Sequence, residues 1–363
     1  MRPQLKSRQI CFFLIAFVPV TKLFMMSSII AGISKEDMWI STLFNVLLDV
    51  ITLSCVCYAC KKAQSDFITL LENNLGKTGK NIILFLYFIY FLLKAVIPIN
   101  EQKDYVELTL YITQPNLLTF LPVLICPFFL CLKELRTLGR LADILWVITI
   151  IGFITLMALS VNSADFSALL PIGVNGIGNI LKGSYSSLIW FGDIAYIIFF
   201  IGKFNYQKHD TLKIVLSYAL AGLMIVFFTM VFFGVFTSIA FRQQFALTEI
   251  SKYSTVINSI GRFDYIAILL LLFSNIFAIS LPIYFAVKML QGIFPIKQKW
   301  IFPLCITSAY AILLLFFNEF FYSIEQFMLS YANGYFLLLG NVLPIFTIFL
   351  KNKEKKDYAI KTC

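Results

Sequence analysis

Long apolar runs separated by short polar segments dominate this sequence. A helix that crosses a bilayer needs about 20 mainly apolar residues, and ten runs of about this length occur. The pattern predicts ten membrane spans, near residues 10–31, 38–59, 81–100, 116–132, 143–161, 184–202, 212–237, 264–287, 300–317 and 333–350. The connections between them are short, so we interpret residues 1–363 as a single polytopic membrane domain, an all-α integral membrane fold.

Lysine and arginine residues are concentrated in alternate loops. One set of loops, together with both chain ends and a basic tail at 351–363, carries 21 of the 29 basic residues, whereas the opposite loops carry six. Basic loops stay on the cytoplasmic side of a membrane, so we expect both termini in the cytoplasm. The net charge of +10 then reflects topology and attraction to anionic lipid, and it gives no indication of nucleic-acid binding.

The two remaining basic residues, Lys22 and Lys94, lie inside spans. A charge near the bilayer centre costs about 2.5–3.5 kcal/mol on insertion scales and is commonly functional. Pro19 removes a backbone donor three residues before Lys22, which predicts an interruption of span 1. Lys94 lies further along span 3 and is followed by Pro98. Its long stem favours an ammonium that reaches outward to the membrane interface, with a coupling or structural charge as the alternative.

Ten spans divide into two sets of five, about 10–161 and 184–350, and the second set must begin on the opposite side of the membrane. Such inverted repeats place interrupted helices at corresponding positions around a central site. Span 6 is the counterpart of span 1, and it contains a glycine beside an acidic residue, Gly192–Asp193, near its centre. We therefore predict two facing helix breaks, at Pro19 and at Gly192.

The ends of interrupted helices present backbone amides and carbonyls that can bind a ligand. A small zwitterion could place its carboxylate at the first break or on Lys22, and its ammonium on Asp193. Alternatively, Lys22 takes the place of a coupling cation, or Lys22 and Asp193 pair with each other and contact no ligand. The candidate substrate-binding residues are Thr21, Lys22, Met25, Ser187, Trp190, Gly192 and Asp193. Asp49 and Asn275, two further polar residues inside spans, favour hydrogen bonds between helices.

Other chemistry is not indicated. Cys55, Cys57 and Cys60 form a cluster, but the only histidine, His209, is distant in sequence, and a zinc site needs four ligands. No phosphate-binding loop, metalloprotease motif or nucleophile motif occurs. We expect no enzyme activity, no metal and no cofactor.

Four stretches carry a resemblance to a known family: "AGISKEDMWIS" at 31–41, "LGKTGKNIILFLYFIYFLLKA" at 75–95, "LLPIGVNGIGNILKGSYSSLIWFGDIAYIIFF" at 169–200 and "GRFDYIAI" at 261–268. They resemble the endospore germination permeases, which are the B subunits of nutrient germinant receptors in the amino acid–polyamine–organocation superfamily. The resemblance implies a LeuT-type fold, partner subunits of the A and C types, and residence in the cell membrane or the inner spore membrane. The chain departs from the family at Asp193, where a glutamate is usual, and around Lys22, where small residues are usual.

Three functions stay open at this point. The first is a germinant receptor subunit that binds a small nutrient, an amino acid, and triggers germination with its partners. The second is an amino-acid permease coupled to protons or using a fixed lysine cation. The third is an assembly subunit that binds no ligand.

Overall fold

The computed structural model describes residues 5–62, 66–109, 116–204, 206–252 and 264–349. Within these ranges the chain is almost entirely helical, which confirms the all-helical class. The predicted basic tail at 351–363 and the beginning of the stretch 261–268 lie outside the described residues.

The α-helices follow one another along the chain with short connections. In the described ranges they are α1 Ser7–Phe17, α2 Met26–Ser34, α3 Met38–Lys62, α4 Phe67–Thr109, α5 Asn116–Cys131, α6 Leu135–Ser160, α7 Gly176–Ser187, α8 Ile194–Ile198, α9 Asp210–Phe236, α10 Ala246–Lys252, α11 Asp264–Ile293, α12 Ile301–Phe316, α13 Asn318–Tyr331, α14 Asn333–Leu337 and α15 Leu343–Phe346. A π-helical turn, Leu338–Val342, joins α14 to α15.

Five helical segments of the described chain are long and apolar enough by themselves to cross a membrane: Met26–Ala59, Phe67–Tyr105, Leu135–Ser163, Asp210–Arg242 and Ile266–Ile293. The pair α12 and α13, bent by 107°, is a sixth candidate. The protein is therefore an integral membrane protein. Helices α1, α7 and α8 are each too short to cross the bilayer, and α2 reaches spanning length only together with α3. Unwound segments separate α1 from α2 and α7 from α8.

A long kinked helix, α4, forms one wall of the centre. It bends at Gly76, which has a φ of 72°, a left-handed conformation that glycine adopts without steric cost. Beyond the kink, α4 packs along α11, which also contacts α5 and α6, while α1 lies against α6 and α9. Helix α8 packs against α3. Residues 188–193 and most of residues 18–25 are buried, so both unwound segments lie inside the bundle.

Candidate functional site

The first helix break runs from the end of α1 at Phe17 to the start of α2 at Met26. Pro19 precedes a 3-10 turn formed by Val20–Lys22. The ammonium of Lys22 folds back and donates to the Val18 carbonyl oxygen at 2.7 Å. Carbonyl groups at a helix C-terminus lack intrahelical partners and carry partial negative charge, so this lysine stabilises the end of α1.

The second break separates the end of α7 at Ser187 from the start of α8 at Ile194. Gly192 has a φ of 74°, and both of its backbone polar groups are bound by neighbouring helices. Its N–H donates to Asp49 Oδ2 at 3.2 Å, and its carbonyl oxygen accepts from the Tyr90 hydroxyl at 3.1 Å. A Cβ at this position would lie 2.8 Å from that hydroxyl and 3.1 Å from the Cα of Gly340. Glycine is therefore required here by both conformation and space.

Asp193 joins the two breaks through a pair of lysines. Its carboxylate lies 2.5 Å from the Lys22 ammonium and 3.1 Å from the Lys94 ammonium. All three side chains are at most 9% exposed. Lys94 also donates to the Phe191 carbonyl oxygen at 2.5 Å. Unpaired buried charges are strongly unfavourable, and the shared carboxylate compensates part of that cost.

The sequence favours an outward-reaching Lys94, and the structure differs from that expectation. The Lys94 side chain points into the bundle because an acceptor is within reach there, namely the carbonyl freed at the second break. Nothing local to span 3 reveals this partner, which is 97 residues away in sequence.

A small cavity of about 30 Å³ lies beside the three charges, with room for one or two water molecules. The lining residues with polar groups are Thr21, Lys94, Trp190, Asp193 and Tyr196, and the other lining side chains are apolar. Of the predicted binding residues, Thr21, Trp190 and Asp193 thus line the cavity, whereas Lys22, Met25, Ser187 and Gly192 do not.

Ser187 binds the neighbouring helix instead. Its hydroxyl accepts from the Asn45 side-chain amide at 2.8 Å and donates to the Gly183 carbonyl oxygen at 2.9 Å. The residue therefore links the end of α7 to α3.

Trp190 and Glu101 close another side of the site. The indole N–H of Trp190 donates to Glu101 Oε1 at 3.0 Å, and Glu101 is only 1% exposed. The same carboxylate interacts with the backbone N–H of Met25, immediately before α2. Sequence reasoning missed Glu101, because it follows the predicted end of span 3 at residue 100. The structure extends this helix to Thr109.

Asp49 connects the second break to two further helices. Its carboxylate accepts from the Tyr218 hydroxyl at 2.5 Å and from the Asn341 side-chain amide at 2.6 Å. The predicted interhelical hydrogen bonds of Asp49 and Asn275 are present, since Asn275 donates to Gln102 at 2.8 Å. The role of Asp49 at the Gly192 N–H was not visible from the sequence.

A second cavity, of about 360 Å³, lies at the predicted cytoplasmic end of the bundle. Its wall includes Asp66, which pairs with Lys203 at 2.9 Å. Burial favours a higher pKa for Asp66, but hydrogen bonds from Thr69 and Lys203 and the charge of Lys203 outweigh it and lower the pKa. The rings of Tyr196 and Phe285, with centroids 5.1 Å apart, separate this cavity from the central one.

Two spore proteins and one family profile are similar to this chain. The profile described as "Spore germination protein" matches residues 4–322. Spore germination protein XB of Bacillus anthracis is 22% identical over 332 residues, which cover 89% of this chain and 91% of that protein. Spore germination protein YndE of Bacillus subtilis (strain 168) is 22% identical over 182 residues, or 50% of each chain.

Solved transporter structures share the fold. A glutamate-to-glutamine mutant of the Eremococcus coleocola manganese transporter aligns with a TM-score of 0.64 at 12% identity, covering 96% of this chain and 82% of that one. The same transporter in complex with an aromatic bis-isothiourea substituted compound gives a TM-score of 0.60, covering 93% and 78%. This likeness shows the fold alone. In the described part of this chain, no three His, Cys, Asp or Glu residues are grouped to hold a metal ion.

Proposed function

Because the chain belongs to the spore germination protein family, we propose that it is the membrane subunit of a nutrient germinant receptor. In this proposal a small germinant, an amino acid, binds at the central site between the two helix breaks. Binding triggers germination through partner subunits of the A and C types.

The observation that carries this proposal is the buried group of Lys22, Asp193 and Lys94 at the point where the two interrupted helices meet. Intramembrane charges are costly and commonly mark a ligand or ion pathway. Here they adjoin a small cavity of about 30 Å³, which holds one or two waters and no amino acid. A germinant must therefore favour a second conformation with a larger cavity, and a ligand with that preference shifts the equilibrium between the two states.

The proposed topology has ten spans in two inverted sets of five, a LeuT-type arrangement. The segments α1–α2 and α7–α8 then count as the interrupted spans 1 and 6. The transporter fold and the positions of the breaks support this layout, and the distribution of basic residues supports cytoplasmic termini. We propose the cell membrane or the inner spore membrane as its location.

Two other functions remain as alternatives. An amino-acid permease with the same fold would use Asp193 and a lysine as coupling charges and would carry solute across the membrane. An assembly subunit would keep Lys22 paired with Asp193 and bind no ligand. The small cavity is compatible with either function, so the experiments must separate them.

The test combines binding, uptake and germination. The full chain, purified in detergent, is heated with each protein amino acid and with the common nucleosides. A compound at a hundredfold excess over its Kd stabilises the native state by about 2.7 kcal/mol. Spores that lack the chain should lose the response to that compound and regain it with the parent gene. Uptake of the labelled compound by proteoliposomes would instead support the permease, and stabilisation by no compound would support the assembly subunit.

A further inference from the structure

The two lysines of the central site differ in how fully their ammonium groups are bonded. An ammonium has three N–H donors. Those of Lys22 meet the Val18 carbonyl oxygen, Asp193 Oδ2 and the Thr21 hydroxyl, the last at 3.5 Å. Among the described residues, Lys94 meets two acceptors, the Phe191 carbonyl oxygen and Asp193 Oδ1.

The difference in bonding coincides with a difference in position. Lys94 lines the central cavity, and Lys22 does not. The Lys94 side chain is 7% exposed, so bulk water does not reach its third N–H freely. A buried donor without a partner is unfavourable, and a ligand atom in the cavity that Lys94 lines could accept from it.

The charges around the cavity determine which sign of charge the ligand atom beside Lys94 should have. Two ammonium groups share the single carboxylate of Asp193, which leaves the group with an excess of positive charge. Asp49 is engaged elsewhere, by Tyr218, Asn341 and the Gly192 N–H. Glu101 is likewise engaged away from the lysines, by the Trp190 indole N–H and the Met25 N–H. Each oxygen of Asp193 already holds one lysine, so a ligand ammonium at that position meets two like charges.

We propose that the third N–H of Lys94 binds the carboxylate of the ligand, and that the site selects small carboxylates with an apolar body. Phe17, Ile97 and Leu281 provide the apolar wall for that body. The inference rests on the proposed function, since it assumes that the central site binds a germinant. It assigns the ligand to Lys94 and leaves Lys22 a structural role. It also predicts that cationic amino acids and polyamines are excluded.

The experiment compares carboxylates with their amides on the purified full chain. The probes are the protein amino acids and the matching amino-acid amides, together with propionate and propionamide. Binding is measured by thermal stabilisation and by equilibrium titration. We expect at least one carboxylate to bind, and its amide to bind about 10- to 100-fold more weakly, which corresponds to the loss of a hydrogen bond to a charged group.

The same probes are then applied to Lys94→Met, which keeps the apolar stem and leaves Asp193 paired with Lys22. We expect this variant to fold and to lose the preference for carboxylate over amide. Lys182→Met is the matched control, because Lys182 is exposed and lies on the predicted outer side; it should bind like the parent. If Lys94→Met does not fold, the test is the parent protein alone: equal binding of a carboxylate and its amide would contradict the inference.

Two results would overturn the inference and leave the proposed function intact. One is a ligand that binds as an amide as tightly as it does as a carboxylate. The other is a folded Lys94→Met variant that keeps the carboxylate preference. Failure of all these probes and of the nucleosides to bind the parent would overturn the proposed function and this inference together.

Discussion

The two helix breaks are stabilised in opposite ways. At the first break, a side chain of the break itself, Lys22, turns back onto the end of its own helix at Val18. At the second break, the backbone of Gly192 is bound by Asp49 and Tyr90, which belong to other helices. The first break thus has a stabilising side chain of its own, in addition to the contact of Glu101 with the Met25 N–H, whereas the backbone of Gly192 at the second break is held by side chains of other helices.

This difference determines how each break responds to change. A substitution at the first break alters a local charge and its pairing with Asp193. A substitution at the second break alters contacts among several helices, including the close approach of Gly192 to Gly340. The ion group is the place where both breaks meet, so the largest effects are expected there.

Asp193→Asn should produce the largest loss of stability, about 3–5 kcal/mol, because it leaves buried lysines without a carboxylate. The measurement is thermal unfolding in detergent. Asp193→Glu keeps the charge and serves as the matched variant. The double variant Asp193→Asn with Lys94→Met should be more stable than Asp193→Asn alone, since it removes one uncompensated cation. A double variant that is less stable than Asp193→Asn alone would contradict the assignment of Lys94 as a buried cation that Asp193 compensates.

Gly192→Ala should cost about 2–4 kcal/mol, combining a left-handed φ with overpacking against Tyr90 and Gly340. Gly173 provides a matched control, because its φ is 83° and a Cβ there meets nothing within 4 Å. Gly173→Ala should therefore lose only the conformational part, about 1 kcal/mol. Equal losses of unfolding free energy in the two variants would show that the close approach at the second break does not matter.

Lys22→Met should cost about 2 kcal/mol, less than the loss of Asp193, because Lys94 still compensates the carboxylate. Hydrogen exchange should rise in the first break, residues 18–25, with a smaller change in residues 188–193. Lys94→Met should cost less than Lys22→Met, since Lys94 has fewer acceptors. The reverse order of stability would refute the structural role assigned to Lys22.

Tyr90→Phe should have the smallest effect, about 1 kcal/mol, because it removes one hydrogen bond and preserves the ring. The pattern of backbone hydrogen exchange should be opposite to that of Lys22→Met. Exchange should be faster in residues 188–193 and little changed in residues 18–25. Tyr87→Phe, one turn earlier on α4, loses a bond to the Leu339 carbonyl oxygen and should leave both breaks unchanged. Faster exchange at both breaks in Tyr90→Phe would mean that they open together.

Part of the site can be predicted from the sequence. Pro19, Lys22 and the Gly192–Asp193 pair are visible because each is unusual inside an apolar run. The membrane class follows from hydropathy in the same way. Tyr90 and Asn341 give no indication of a helix break, since a polar side chain in a span commonly serves only to form a hydrogen bond between helices. Their partners are 102 and 292 residues away, so only the packed structure identifies them.

For Lys94, the difficulty in predicting from the sequence was the direction of the side chain. Its position in span 3 was evident, and the direction of its side chain was not. A lysine stem can extend either toward the membrane surface or toward an internal acceptor. The direction depended on the Phe191 carbonyl, which is available to Lys94 because Phe191 lies in the break between α7 and α8.

The layer of aromatic rings beneath the site has an electrical consequence. Phe91, Tyr196 and Phe285 stack with centroid distances of 5.3 and 5.1 Å, and they separate the central cavity from the larger one. Where a membrane protein excludes water, the transmembrane voltage falls over a short distance, and a full crossing is worth about 2.3 kcal/mol per charge at 100 mV. Lys94 lies next to this layer, with its ammonium 6.0 Å from the centre of the Tyr196 ring. A rearrangement that carries that ammonium past this layer of rings would move charge through the membrane field.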